Sequence, residues 1–312
     1  MPLFKPSLTT SRAILLCLLF LSLVYSALAD AQTADVDAFK SFVAARQSAL
    51  SKLTSFRMKG TIKITEAVPN HSPRIYLFNF DVAGKGDKLR ETEEVLNRSG
   101  RITLTRVYYL NRTKLVEVDE VPGQSEATLF TLGTARQYGL FNCPAFLEFS
   151  SLTNCDMDYG VPAVVPSTMA SKEQWNQVLT KGDGITPSNT GDLRVKLKAY
   201  QGSSLVDLVR LSGSNGGYRV GAVSVVDNKG IIDRKIEVVD VSHDDILGEI
   251  GKSFRMNIFH GPNPAVPSHV WDFVINDIKI NCPLDDDWMT FDPASVKRIE
   301  DRDHHVSIDV PK

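Results

Sequence analysis

The sequence predicts an α+β fold, a curved antiparallel sheet covered on one face by a few helices. Three observations carry this. A stretch with helical period precedes the strands, period-two strands follow one another across short polar turns, and the helices are grouped instead of alternating with strands. Parallel strands would need crossovers of a dozen residues or more, which these turns cannot supply.

Residues 33–53 place Val36, Phe39, Phe42, Val43, Leu50 and Leu53 at helical spacing among polar neighbours, the pattern of one amphipathic helix. The period then changes. Phe56, Met58, Gly60, Ile62 and Ile64 alternate with Arg57, Lys59, Thr61, Lys63 and Thr65, which predicts a half-buried strand with one wet face. Tyr76, Phe78, Phe80 and Val82 repeat the pattern against Asn79 and Asp81. Gly84-Lys85-Gly86-Asp87 can turn the chain into 88–96, Asn97-Arg98-Ser99-Gly100 into 101–110, and Asn111-Arg112-Thr113 into 114–118.

Beyond Ser125 the apolar residues lose period two and Gly and Pro interrupt, so a helical insert is expected at about 125–190. Within it 161–166 is extended by its prolines, and Ser171-Lys172-Glu173-Gln174 fits a capping box opening a short helix with Trp175, Val178 and Leu179 on one face. Strands resume at 193–200, 204–211 and 218–226. Asp227-Asn228-Lys229-Gly230 is the clearest hairpin turn and leads to 231–241; a last strand is expected at 269–280 after a Gly- and Pro-containing stretch.

Lys5 and Arg12 precede an apolar run at 13–25, and Ala27 and Ala29 then offer small side chains where a signal peptidase needs them. A secretory signal at 1–29 is therefore expected, cut before Asp30 or, at a second A-x-A site, before Gln32, leaving a single domain at 30–312. No later stretch approaches ~20 continuous apolar residues, so the processed chain is expected to have no stable membrane span and to be exported, periplasmic or extracellular. The whole chain carries 35 Lys+Arg against 37 Asp+Glu, and loss of Lys5 and Arg12 moves the net charge from −2 to −4. That balance excludes the basic field by which nucleic-acid binders collect phosphate. Three cysteines remain after processing. Cys143 and Cys155, close together in one compact segment, are expected to form a disulfide with Cys282 left as a buried thiol; a bridge from Cys282 to either is the alternative.

Motifs for catalysis are missing: no GxSxG, HExxH, Walker loop, GxGxxG or EF-hand loop occurs. Gly213-Ser214-Asn215-Gly216-Gly217 lies between two strands and reads as a hairpin loop. Asp285-Asp286-Asp287 reads as a solvated loop, and His243, Asp244 and Asp245 sit where a strand ends and Asp commonly caps. Asp301, Asp303, His304 and His305 resemble a metal cluster, but adjacent ligands on an exposed tail bind adventitiously. Asn97-Arg98-Ser99 and Asn111-Arg112-Thr113 are glycosylation sequons only in a eukaryotic secretory pathway. No catalytic residue, cofactor or metal is expected. The rival reading is a secreted hydrolase or metal-dependent enzyme using His243, His260 or the C-terminal Asp/His group, and a third is a protein-interaction module without a small ligand.

The remaining lead is the aromatic-rich face of the first two strands, Phe56, Met58, Ile62, Ile64, Tyr76, Phe78 and Phe80. Such a face must be covered by helices, as an ordinary core, or by an apolar ligand such as a lipid.

One N-terminal helix running into SFRMKGTIKI, a meander ending VYYLNRTKLVEVDE, an insert, a second meander and the tail INCPLDDDWMTFDPASVKRIEDRD together resemble the LolA/LolB-like periplasmic lipoprotein carriers. The resemblance implies a half-open barrel that shelters acyl chains beneath helices, closed by an acidic turn, an aromatic-containing strand and a final valine-and-acid strand. The longer insert with Cys143 and Cys155 departs from that pattern, and no individual functional residue carries over.

Overall fold

The computed structural model describes residues 36–131 and 184–311, apart from short stretches at 39, 43, 46–47, 49–51, 69, 86–87, 112–113, 122–123, 188–191, 200–201, 212–216, 228 and 260–264. The expected signal at 1–29, the Cys143 and Cys155 pair and the capped helix at 171 lie outside the described residues. Helical backbone runs through the described positions between 36 and 48, within the predicted amphipathic stretch.

The described strands are β1 (Ser55–Glu66), β2 (Arg74–Lys85), β3 (Lys88–Leu96), β4 (Ile102–Asn111), β5 (Lys114–Val121), β6 (Gln124–Thr131), β7 (Ile185–Pro187), β8 (Leu193–Ala199), β9 (Gly202–Arg210), β10 (Tyr218–Val226), β11 (Ile232–Asp244), β12 (Gly248–Ile258), β13 (His269–Ile280), β14 (Arg298–Asp301) and β15 (Val306–Asp309). They form one curved, unclosed sheet in the order β15-β14-β6-β5-β4-β3-β2-β1-β13-β12-β11-β10-β9-β8-β7. Two meanders, β1–β6 and β7–β13, meet along a single seam where β1 pairs antiparallel with β13. The β14–β15 hairpin adds to β6 in parallel, the one parallel pairing among the described strands.

Two turns show why polar residues at these places reverse the chain. Asn97 Oδ1 accepts from Ser99 N at 2.9 Å and Arg101 N at 3.0 Å, with Gly100 at φ 77°. Asp227 Oδ1 does the same for Lys229 N and Ile231 N, both at 2.8 Å, with Gly230 at φ 83°. In each a short side-chain acceptor holds the turn and glycine takes the left-handed residue.

Three expectations are corrected. Residues 124–131, assigned to the insert, are strand β6, paired with β5, and 185–187 form β7. Ala127 of β6 is buried with Val107, Val118 and Val296 on the sheet's outer face, where the C-terminal segment covers it, so apolar residues here mark the wrong face and obscure the period. Residues 248–258, left unassigned among glycines, are strand β12. The ring of Phe254 occupies the space above Gly251. Finally, Trp288 lies in turn structure and not in the aromatic strand that the resemblance implied, although the valine-and-acid stretch 296–301 does hold a strand, β14.

Candidate ligand-binding face

Cross-strand register places alternate residues of β1 on one face, and each brings its partners with it. Phe56 faces Gly84 and Ile280, Met58 faces Val82 and Ile278, Ile62 faces Phe78 and Phe273, and Ile64 faces Tyr76 and Trp271. The predicted apolar residues therefore do share one face. Phe56, Met58, Ile62 and Phe80 are buried, Ile64 and Phe78 are half-buried against them, and Tyr76 is 40% exposed. The Tyr76 hydroxyl donates to Glu66 Oε2 at 3.1 Å, so this residue marks the polar rim.

The face extends well beyond the first two strands. Leu89, Leu110 and Leu115 continue it through β3, β4 and β5, while Phe273, Ile275, Phe254, Met256 and Ile236 continue it through β13, β12 and β11. Period-two spacing alone could not show the extension into β11–β13, because those strands lie more than half the chain away from β1. At the middle, Gly60 faces Phe80 at a register shift between β1 and β13, and the Phe80 ring fills the space a side chain would occupy.

The opposite face is charged. Arg57 Nε donates to Asp81 Oδ1 at 2.8 Å, and Lys59 Nζ lies 3.3 Å from Asp81 Oδ2. The Asp81 carboxyl is held below its usual range: burial opposes this, and the Arg57 hydrogen bond and charge outweigh it. Across this face run residues 281–297. Trp288 sits 4.6 Å from the Arg57 guanidinium and 4.2 Å from that of Arg90, and Phe291 lies 5.9 Å from Tyr109.

On the apolar face, the chemistry changes between β2 and β3. The register continues Met58 and Val82 into Glu91, Tyr108 and Glu117, and continues Phe80 into Glu93, Arg106 and Asp119. Glu91 is only 2% exposed, and its Oε1 has no hydrogen-bond partner among the described residues. Arg106 Nε serves Asp119 Oδ1 at 2.8 Å and Glu117 Oε1 at 3.0 Å. Burial, with the neighbouring charge of Glu93 added, pushes the Glu91 carboxyl well above the ordinary carboxylate range. Burial also raises Glu93 and Glu117, partly offset in each by Arg106. This cluster went unnoticed in the sequence, where 88–96 reads as a strand with no role for its glutamates. Only alternation against Leu89 could have hinted that two of them point inward.

The residues of the enzyme reading are not gathered. His243 is exposed on β11 opposite Glu249, and Asp244 Oδ1 caps the following turn through Ile246 N and Leu247 N, each at 2.9 Å. His260 lies outside the described residues. His304 Nδ1 lies 2.9 Å from Asp301 Oδ2 at the β14–β15 hairpin, with eight strands between β14 and β11 in the sheet order. Among the described residues no group of three or more His, Cys, Asp or Glu side chains is arranged to hold a metal ion, and Cys282 is a half-buried free thiol. No described helix is long and apolar enough to cross a membrane.

No family model matches the chain, and no curated protein does. Among solved structures it is similar to a domain described as an outer-membrane lipoprotein-sorting protein from Vibrio parahaemolyticus (8% identity, 80% of this chain and 97% of that one, TM-score 0.45). It is similar also to a LolA superfamily protein from Nitrosomonas europaea (14% identity, 81% and 97%, TM-score 0.41) and to a DUF1329 family protein from Desulfovibrio piger (9% identity, 83% and 96%, TM-score 0.45).

Proposed function

We propose that this chain is an exported, non-enzymatic carrier or sensor that holds an apolar ligand, a lipid or acyl chain, in the hollow of its curved sheet. The observation that carries the reading is the continuous apolar face from β5 through β1 to β11, set on a sheet that does not close on itself. An unclosed sheet leaves such a face in need of a cover, and the amphipathic stretch at 33–53, helical at its described positions between 36 and 48, has the apolar side that such a cover needs. Phe56, Met58, Ile62, Ile64, Phe78 and Phe80 form the floor, with Tyr76 at the mouth. The apolar run at 13–25 with its small-residue cleavage sites supports export, to the periplasm or beyond the cell.

Phe78 provides the test, because it is half-buried and a charge there can reach water. Protein lacking residues 1–29 is titrated with N-phenyl-naphthylamine, an uncharged apolar dye, and long-chain alcohols are used to displace it. Wild type is expected to bind the dye and release it to the alcohol, whereas Phe78→Asp stays folded and loses binding. Absence of dye binding by folded wild type would sink the carrier reading.

A further inference from the structure

The cluster on β3, β4 and β5 is the polar end of an otherwise apolar floor. We propose that the ligand's head is a cationic hydrogen-bond donor, a primary ammonium or guanidinium group, seated at Glu91 and Glu93 beside Tyr108 and Glu117 with its apolar body over Phe80, Val82 and Leu89. This rests on the carrier reading above and names the class of ligand.

Three observations lead there. The first is charge: Glu91, Glu93, Glu117 and Asp119 share one face by register, and the single cation among them, Arg106, is already bonded to Asp119 and Glu117. Neighbouring Glu126 and Glu300 add further acid, answered by Arg298 opposite Glu126 and by Arg302 at 3.0 Å from Glu300. The second is an orphan acceptor. Glu91 is almost wholly buried, its Oε1 unpaired, and a buried polar atom without a partner costs on the order of 1–3 kcal/mol that a donor from a ligand would recover. The third is the boundary itself. Val82 on β2 pairs directly with Glu91 on β3, so one strand spacing, roughly 4.8 Å, separates apolar floor from carboxylate. An amphiphile with a positive head matches both sides of that line: as it seats, Glu91 releases its proton to solvent, and the resulting charge-assisted contact is about twice as strong as a neutral one. A metal ion fits less well, since these carboxylates are not arranged as a ligand set.

The test is displacement of N-phenyl-naphthylamine from the processed protein at neutral pH by dodecylammonium, dodecanol and dodecanoate, in wild type, Glu91→Gln and Glu93→Gln. Dodecylammonium is expected to bind wild type about tenfold or more tighter than dodecanol, with dodecanoate weakest. Either amide variant is expected to bring the ammonium close to the alcohol, with dodecanol affinity falling much less than that of dodecylammonium. Glutamine keeps the shape of glutamate but cannot become an anion and puts an NH2 donor where an oxygen stood, so both variants are expected to fold and to lose the charged acceptor. Equal affinity for all three chains in wild type, tighter dodecanoate, or full ammonium preference in both folded variants would overturn the inference while dodecanol displacement still upholds the carrier. Displacement by none of the three would remove the carrier reading as well.

Discussion

Arg90 lies over the ring of Trp288, its guanidinium 4.2 Å from the ring centroid. With Arg57 4.6 Å away from the same ring, the indole fastens the C-terminal segment to β1 and β3. Lys85 adds a contact of 3.1 Å to Asp286, and Lys88 Nζ donates to Thr290 Oγ1 at 3.0 Å. Trp288→Ala is expected to lower unfolding free energy by about 1–3 kcal/mol in urea titration, since cation–π contacts contribute roughly 0.5–2 kcal/mol each and packing is lost besides. A change indistinguishable from zero would mean that the segment is not fastened at this point.

Gly60→Ala should be far more damaging than its size suggests. An added Cβ would overlap Val274 O and the Phe80 ring, so backbone or ring must shift at the centre of the sheet. Overpacking of this kind costs typically 1–3 kcal/mol or more. Thermal unfolding should show a marked fall in Tm, and Gly60→Ala combined with Phe80→Leu should recover part of it.

Glu91 makes stability depend on pH. Its folded-state value is raised above the unfolded one, so the native protein keeps a proton that the unfolded chain releases. The native state is therefore at no disadvantage below the ordinary carboxylate range and loses stability as pH rises through it. Between about pH 4 and pH 7 the unfolding free energy of wild type is expected to fall more steeply than that of Glu91→Gln. The facing groups Glu93, Arg106, Tyr108 and Glu117 are common to both proteins. Parallel curves would refute the assignment.

Thiol counting tests the cysteine pairing. Protein purified from its own host should show one reactive thiol after denaturation, Cys282, which labels slowly in the native state because it is half-buried. Three reactive thiols would dispose of the Cys143–Cys155 bridge. If present and unstrained, its loop of about a dozen residues contributes on the order of 3 kcal/mol.

Local signals in the chain were readable where one face is wet and the other dry. β1 and β2 alternate over most of their length, and Asn97-Gly100 and Asp227-Gly230 carry their turn chemistry in four residues each. Legibility failed where both faces are covered or where glycine stands in for a side chain. At β6 the C-terminal segment buries Ala127 from outside, and at β12 the Phe254 ring replaces what Gly251 lacks. The apolar floor was half visible, since Phe56 to Phe80 lie in one hairpin, but its continuation to Phe273 and Met256 depends on a pairing between distant strands. Glu91 was invisible for a related reason. Its burial comes from neighbours on β2 and β4 that no local pattern announces.

The single seam between the two meanders sets an order of events during synthesis. Each meander is built from neighbours in sequence, whereas β1 meets β13 across the length of the chain, as the bond from Thr54 N to Asn281 Oδ1 shows at 2.8 Å over 227 residues. Local hairpins close in about 1–10 μs, so β1–β6 can zip as soon as it leaves the ribosome, but one side of β1 must then wait. Until Ile280 is made, that strand offers bare backbone and the apolar row of Met58 and Ile62 to any other strand within reach. A chain of this topology is most exposed to aggregation in that interval, and chaperone binding to the nascent protein should concentrate on residues 55–66.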